Sequence, residues 1–184
     1  MHLLVAALSS ELQVFPAHIP GWDRLITGPG KLLAAVGLSE RLGRGDVDSV
    51  LVLGTAGTVT AGTTGIHEIA AAIQHDVTDL EGVRGRHVAL PERVSLPVEG
   101  VTIATGDSFV SDAAYGQMVR GLGASLVDME SYAYAWAAQR AGVPIRIVKV
   151  VSDSADEGSE TLWDRVVARC SADLWRWFQD EYLQ

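Results

Sequence analysis

Three carboxylates stand at the ends of apolar runs, where acids are out of place unless they serve chemistry. Glu130 closes Val127-Asp128-Met129-Glu130, where a strand gives way to a helix. Asp153 ends Val151-Ser152-Asp153 just past a β-branched run, and Glu11 follows the first apolar run in the same way. An unpaired charge buried at a strand end is costly. Acids repeated at strand ends therefore suggest a site along the C-terminal edge of a sheet, where open α/β folds bind ligands. Taken singly, each has a plainer reading. Glu11 suits a solvated helix start, Glu130 a helix N-terminus favoured by the dipole, and Asp153 a cap on the loop Ser154-Ala155-Asp156.

The elements that must position these groups alternate along the chain. Residues 2–8 read as a buried strand. Gly28-Pro29-Gly30-Lys31 opens a helix with Leu32, Leu33, Val36 and Leu42 at helical spacing. Residues 50–53 form a second strand, ending in the turn-like Gly54-Thr55-Ala56-Gly57. Strands follow at 66–76 and 86–90, joined by a turn over Glu81–Gly85, and again at 101–104. Ser111 is placed to cap a helix running to Arg120. Residues 125–127 make a short strand, 130–141 an Ala-rich helix stopped by Gly142 and Pro144, and 145–151 the last strand. Thr161 with Asp164 resembles a capping box, and Leu162, Val166, Cys170, Leu174 and Phe178 stripe a closing helix. This order predicts one domain over residues 1–184, an α/β three-layer α/β/α sandwich around one mixed sheet.

Composition narrows the function classes. At 184 residues and 48% apolar, with a mean hydropathy of +0.19, the chain has enough apolar material for a sizeable core. Its formal charge of −9 disfavours nucleic acid or an anionic membrane as a partner, and leaves room for a small neutral or zwitterionic ligand. The single cysteine, Cys170, lies in a helical pattern and reads as a small apolar residue in a reducing cytoplasm. The opening Leu3–Leu8 run is short, lacks a basic flank and is soon interrupted by Glu11, as expected of a strand rather than a signal peptide.

Other motifs carry less. Gly54-Thr55-Ala56-Gly57 would let backbone amides approach a ligand closely, but it lacks both the P-loop ending and the dinucleotide spacing. His75-Asp76 suggests a metal ligand or a relay. With five scattered histidines and no metal-binding spacing, no metal is expected. His2, His18, His67 and His87 read as surface or satisfied histidines. Trp163, Trp175 and Trp177 on the last helix suit core or a subunit interface. Covalent acyl chemistry is disfavoured, because Ser152 has no histidine nearby in sequence and no serine occupies a nucleophile elbow.

In order and place, several segments resemble one superfamily: Ala7–Glu11, Gly28–Lys31, Gly54–Gly57, Thr105–Phe109, Asp128-Met129-Glu130 and Ser152–Asp156. It is the purine nucleoside phosphorylase and uridine phosphorylase superfamily, and the nearest branch looks like 5′-methylthioadenosine/S-adenosylhomocysteine nucleosidase. The resemblance runs from the first strand to about residue 158. It implies a central sheet that is partly barrel-like and hydrolysis of an N-ribosidic bond without cofactor. It also implies a small-molecule nucleoside as the partner and a homodimer or higher homo-oligomer in the cytoplasm.

By the same resemblance Asp153 is the general acid toward N7 of a purine, supported by Ser152, and Glu11 is the general base on the attacking water. Glu130 binds the ribose 2′- and 3′-hydroxyls and Met129 packs on the sugar. Phe109 stacks on the base, the backbone of Val110 reads its edge, and Thr55 supplies a hydroxyl near the sugar. Three departures stand out. The stretch between Glu11 and Gly28 is short and offers only Arg24 where related phosphorylases hold phosphate. Lys149 stands where nucleosidases carry arginine, and Asp128 replaces a glutamate. Hydrolysis is therefore expected over phosphorolysis. A phosphate-dependent phosphorylase, a futalosine hydrolase-like enzyme and a non-catalytic nucleoside-binding protein are the alternatives.

Overall fold

In the computed structural model, residues 1–108, 110, 112–152 and 160–183 are described, with backbone alone for 160–165. The strands are β1 (His2–Ala6), β2 (Trp22–Ile26), β3 (Ser49–Thr58), β4 (Ile66–Gln74), β5 (Arg93–Ser95), β6 (Val101–Thr105), β7 (Leu126–Asp128) and β8 (Ile145–Val151). The helices are α1 (Lys31–Leu42), α2 (Ala113–Gly121), α3 (Ser131–Ala141) and α4 (Glu160–Tyr182), and Ser9–Leu12 makes a 3-10 turn after β1.

All eight strands belong to one sheet, ordered β2-β1-β3-β7-β6-β4-β5, with β8 bridging β3 and β4. That bridge closes β3, β7, β6, β4 and β8 into a five-stranded barrel with parallel and antiparallel pairs, which bears out the expected mixed, partly barrel-like sheet within an α/β fold.

Strand alternation sorts the core. Leu3, Val5, Val50 and Val52 face a cluster shared with α1 and α3, while Leu4, Ala6, Leu51, Leu53, Val148 and Val150 face α4. The α4 stripe is confirmed at Cys170, Leu174 and Phe178, which are fully buried, and Trp175 and Trp177 pack beside them. Leu162, Trp163 and the Thr161–Asp164 pairing fall where side chains are not described. Ser111 is outside the described residues, and the observed cap of α2 is Asp112, whose carboxylate accepts from Tyr115 N.

Three expectations need correction, and one strand was not foreseen. Gly54–Gly57 is not a turn: β3 runs through it to Thr58, held by the register with β8. Residues 86–90 form no strand, and the short β5 pairs with β4 instead. Strand β2 follows the trimmed segment after Glu11 and pairs in parallel with β1. Leu32, Leu33 and Val36 do not face the core, with Leu32 74% exposed, whereas Ala34, Leu38, Arg41 and Leu42 are the buried residues of α1. Burying Arg41 is possible because Asp23 on β2 and Asp46 after α1 accept from its guanidinium.

Candidate active site

A cavity of about 170 Å3 opens where β1, β3, β7 and β8 end. Glu11, Thr55, Val110, Met129, Glu130 and Ser152 all line it, so six of the eight expected site residues meet in one place. Phe109 and Asp153 lie outside the described residues.

Glu11 is only 3% exposed, which excludes the solvated reading. The 3-10 turn after β1 folds its side chain back over the strand. Oε2 accepts from Leu8 N at 3.0 Å, and Oε1 accepts from Thr55 N at 2.7 Å and Thr55 Oγ1 at 3.0 Å. The Thr55 hydroxyl is thus committed to Glu11. Ser152 is buried beside Ala56, whose carbonyl accepts from Ser152 N at 3.0 Å.

Asp128 and Lys149 explain each other. Lys149 Nζ and Asp128 Oδ2 are 3.0 Å apart, and both side chains are 2% exposed. Asp128 Oδ2 also accepts from Ser131 N and Ser131 Oγ, capping α3, while Oδ1 accepts from Thr105 Oγ1 at 2.7 Å. Lys149 lies opposite Gly54 in the β3–β8 register. A Cβ on Gly54 would sit 3.0 Å from both Glu11 Oε1 and Lys149 Nζ, so only glycine lets the base and the ammonium share this space. Burial opposes the charge on Lys149, but Asp128, Glu130 and Glu11 outweigh it and raise its pKa.

Glu130 ends the β7–α3 junction with its carboxylate buried and Oε1 accepting from Gly30 N at 2.9 Å. Burial and the neighbouring Asp128 charge push its pKa up to about 7, against the pull of Lys149 and the Gly30 N–H. Three carboxylates around one ammonium leave the pocket floor net negative, suited to positive charge developing on a bound group.

His75 was a candidate metal ligand or relay by sequence; the structure puts it on the cavity wall instead. Among the described residues no three His, Cys, Asp or Glu side chains gather as a metal site. Asp76 beside it accepts from Lys31 Nζ at 2.6 Å and Asp107 N at 2.7 Å, which ties the loop after β6 to the start of α1. Tyr115 and Asp107 were not legible as neighbours of this site. The apolar strand ending in Gln74-His75-Asp76 was the signal available, since polar residues there sit on the same edge as the acids. Arg24 is on β2, donating to the Pro16 carbonyl, and does not line the cavity.

A family model described as the phosphorylase superfamily matches residues 25–174. The chain belongs to the phosphorylase superfamily. A 5′-methylthioadenosine/S-adenosylhomocysteine nucleosidase of Geobacillus thermodenitrificans is 30% identical over 177 residues, covering 82% of this chain and 75% of that protein. Among solved structures, a mutant of futalosine hydrolase of Helicobacter pylori superposes with a TM-score of 0.83 at 18% identity, covering 97% of this chain and 96% of that one. The nucleosidase of Streptococcus pneumoniae in complex with 8-aminoadenine gives 0.79 at 20% identity, with 93% of each chain covered. These structures share the fold. The relatives' reaction class bears out the expected N-glycosyl hydrolase, with the 5′-methylthioadenosine/S-adenosylhomocysteine nucleosidases as the matching branch. No helix among the described residues is long and apolar enough to cross a membrane.

Proposed function

We propose that this phosphorylase-superfamily nucleosidase acts on a purine-type nucleoside resembling 5′-methylthioadenosine or S-adenosylhomocysteine, releasing free base and sugar. The observation that carries this reading is one cavity lined by a buried, hydrogen-bonded Glu11 and a buried Glu130. Binding alone has no need of a base held ready for water.

In the proposed reaction the C1′–N9 bond breaks with its electron pair moving into the base. Asp153, assigned by resemblance, gives its proton to N7. The sugar passes through an oxocarbenium-like state, which the net negative floor favours. Water adds to C1′ and loses its proton to Glu11, which its three hydrogen bonds hold in place. Glu130 accepts from the 2′- and 3′-hydroxyls, Met129 packs on the sugar, and Phe109 and Val110 hold the base beside Ser152. A homo-oligomer and a cytoplasmic setting belong to the same proposal.

Hydrolysis is favoured over phosphorolysis because no lysine or arginine is among the described residues lining the cavity, and Lys149 behind it is already paired with Asp128. The test is to incubate the protein with methylthioadenosine, S-adenosylhomocysteine and a futalosine, with and without phosphate, following free base by chromatography. Base release indifferent to phosphate with free sugar as co-product is expected. Release that requires phosphate and yields a sugar 1-phosphate would overturn hydrolysis.

A further inference from the structure

Among the described residues Tyr134, on α3, is the largest fully buried side chain, yet its phenol ends on a polar contact. Its hydroxyl lies 2.5 Å from Thr27 Oγ1, just past β2. Thr27 has one hydroxyl proton, and it donates that proton to the Gly28 carbonyl at 2.9 Å. Burial pushes the Tyr134 phenol up, so it keeps its own proton. Tyr134 is therefore the donor and Thr27 Oγ1 the acceptor. Neither side chain is among those lining the cavity.

The relay nevertheless ends at the site. The Gly28 carbonyl shares a peptide plane with Pro29 N, so a donor on that carbonyl fixes the plane. The Pro29 ring locks the next torsion. One soft torsion, Pro29 ψ, then separates this plane from Gly30 N–H, which donates to Glu130 Oε1 at 2.9 Å. Gly28 and Gly30 have φ of 88° and 97°, which glycine permits but does not enforce. Contacts hold the loop instead. Gly28 N donates to Ala7 O at 3.0 Å, and the start of α3 grips the loop twice. Glu130 and Tyr134 are one helical turn apart, with Tyr134 N donating to Glu130 O at 3.1 Å. One rigid element thus presents both the carboxylate and the phenol that places its donor. Gly37 on α1 leaves room for Thr27, since a Cβ there would lie 3.1 Å from Thr27 Cγ2.

We propose that Tyr134 is a positioning residue for the sugar site: through Thr27 and the Gly28 carbonyl it aims Gly30 N–H at Glu130, and so holds the carboxylate that receives the ribose hydroxyls. The proposal rests on the nucleosidase reading for what Glu130 binds, and on the free protein's hydrogen bonds for the clamp. Its consequence has a definite sign. The charged groups facing Glu130 are Asp128 on β7, Lys149 on β8 and Glu11 after β1. Lys149 and Gly30 N–H favour the ionised carboxylate, while burial, Asp128 and Glu11 oppose it. Tyr134→Phe alters none of these charges and removes only the aim of Gly30 N–H. The Glu130 carboxyl then keeps its proton to higher pH. Sugar binding weakens where that carboxyl is partly protonated and recovers where it is fully ionised.

Two measurements separate those dependencies. In turnover of 5′-methylthioadenosine, Tyr134→Phe should raise KM about two- to fivefold at pH 7, and KM should return to the wild-type value by about pH 9. The kcat should stay within about twofold, because saturating nucleoside draws Glu130 into its ionised form. In the free protein, 13C NMR of the Glu130 carboxyl, assigned by its loss in Glu130→Gln, should show Tyr134→Phe titrating at higher pH than wild type. Thr27→Val, which removes the acceptor and the donor to Gly28 together, should move both readouts at least as far. Thr27→Ser, which keeps the hydroxyl, should leave both at wild type. A KM defect that is equal at pH 7 and pH 9 would make Tyr134 a packing residue and overturn the proposal. A Glu130 carboxyl that titrates unchanged in both Tyr134→Phe and Thr27→Val overturns it whatever the substrate proves to be. If wild type cleaves no nucleoside, the nucleosidase reading falls, and the Glu130 titration still decides the clamp: raised in Tyr134→Phe, the clamp stands, and unmoved, it falls too.

Discussion

The two ends of the pocket are held by opposite means. At the acid end, Glu11, Asp128 and Glu130 surround the fully buried Lys149, and formal charges compensate one another away from water. At the imidazole end, His75 is neutral and held by ring packing, and the charges beside it, Lys31, Asp76 and Asp107, are partly exposed. Charge deep in a core is maintained only as a set, because removing one member strands the others. Charge at the rim can be altered singly because water replaces what is lost. Chemistry that needs a fixed negative field therefore belongs at the first end.

The largest effect expected of this contrast is at Lys149. Lys149→Met leaves Asp128 without its cation and Glu11 and Glu130 without theirs, a loss of about 3–5 kcal/mol by analogy with other broken buried pairs. Denaturant unfolding measures it directly. A loss below about 1 kcal/mol would mean that the acids neutralise themselves by binding protons, and that the acid end is not a coupled set. Asp128→Asn keeps one acceptor oxygen, for Thr105 or for Ser131 but not both, and loses the ion pair while leaving Glu11 and Glu130 beside Lys149, so it should fall between Lys149→Met and wild type.

The next effect is on rate. Glu11→Gln keeps the size of the side chain but cannot take a proton from water, and its amide places hydrogens where Leu8 N or Thr55 N now donates. Turnover should drop about a hundredfold or more, with nucleoside binding much less affected. Single-turnover kinetics beside equilibrium binding separates the two. Comparable losses in both would make Glu11 a binding group alone.

Much of the acid end was legible because each acid interrupts an apolar run at a strand terminus. The imidazole end was not: Tyr115 meets His75 and Asp107 meets Asp76 only once the sheet closes. The same limit explains the misread elements. Strand β2 contains Asp23 and Arg24 and lacks a continuous apolar signal, yet Asp23 is what allows Arg41 to be buried on α1. Helix α1 has apolar residues on more than one face, and periodicity alone could not tell Leu38, which is buried, from Leu32, which is exposed. Gly54–Gly57 read as a turn because glycine usually marks one. Here Gly54 stays in the strand to admit Glu11 and Lys149. Strands β1, β3 and β8 and helices α3 and α4 were legible because their patterns report burial against neighbours on known faces.

Glu130 sharpens the contrast through pH. Its carboxyl is raised in the folded chain to about 7, so the folded state holds this proton more tightly than the unfolded chain does. The stability this contributes is full below the ordinary carboxylate range and is lost as pH rises through about 7. Sugar binding should move the other way, because the ionised form accepts from both hydroxyls. Below pH 7 nucleoside affinity should rise close to tenfold per unit at most, then level off. Glu130→Gln should flatten both profiles. Melting temperature and KM measured from pH 5 to 8 would expose a limb that survives in the variant, and such a limb would belong to another group.

The smallest effect is at the rim. Asp76 is held below its ordinary range: burial works against this, but the Lys31 ammonium and the Asp107 N–H outweigh it. Asp76→Asn keeps an acceptor for one of those partners and loses the charge. Its side chain is 12% exposed and that of Lys31 19%, so water takes up part of the deficit. The expected cost is about 0.5–1 kcal/mol near neutral pH, vanishing in acid as the wild-type carboxyl takes up its proton. Raising salt should shrink the difference between the proteins at this end and leave the Lys149 deficit in place, since buried pairs are poorly screened. If salt instead reduced both deficits alike, the two ends would share one electrostatic regime, and the division between a fixed charged floor and an adjustable rim would fail.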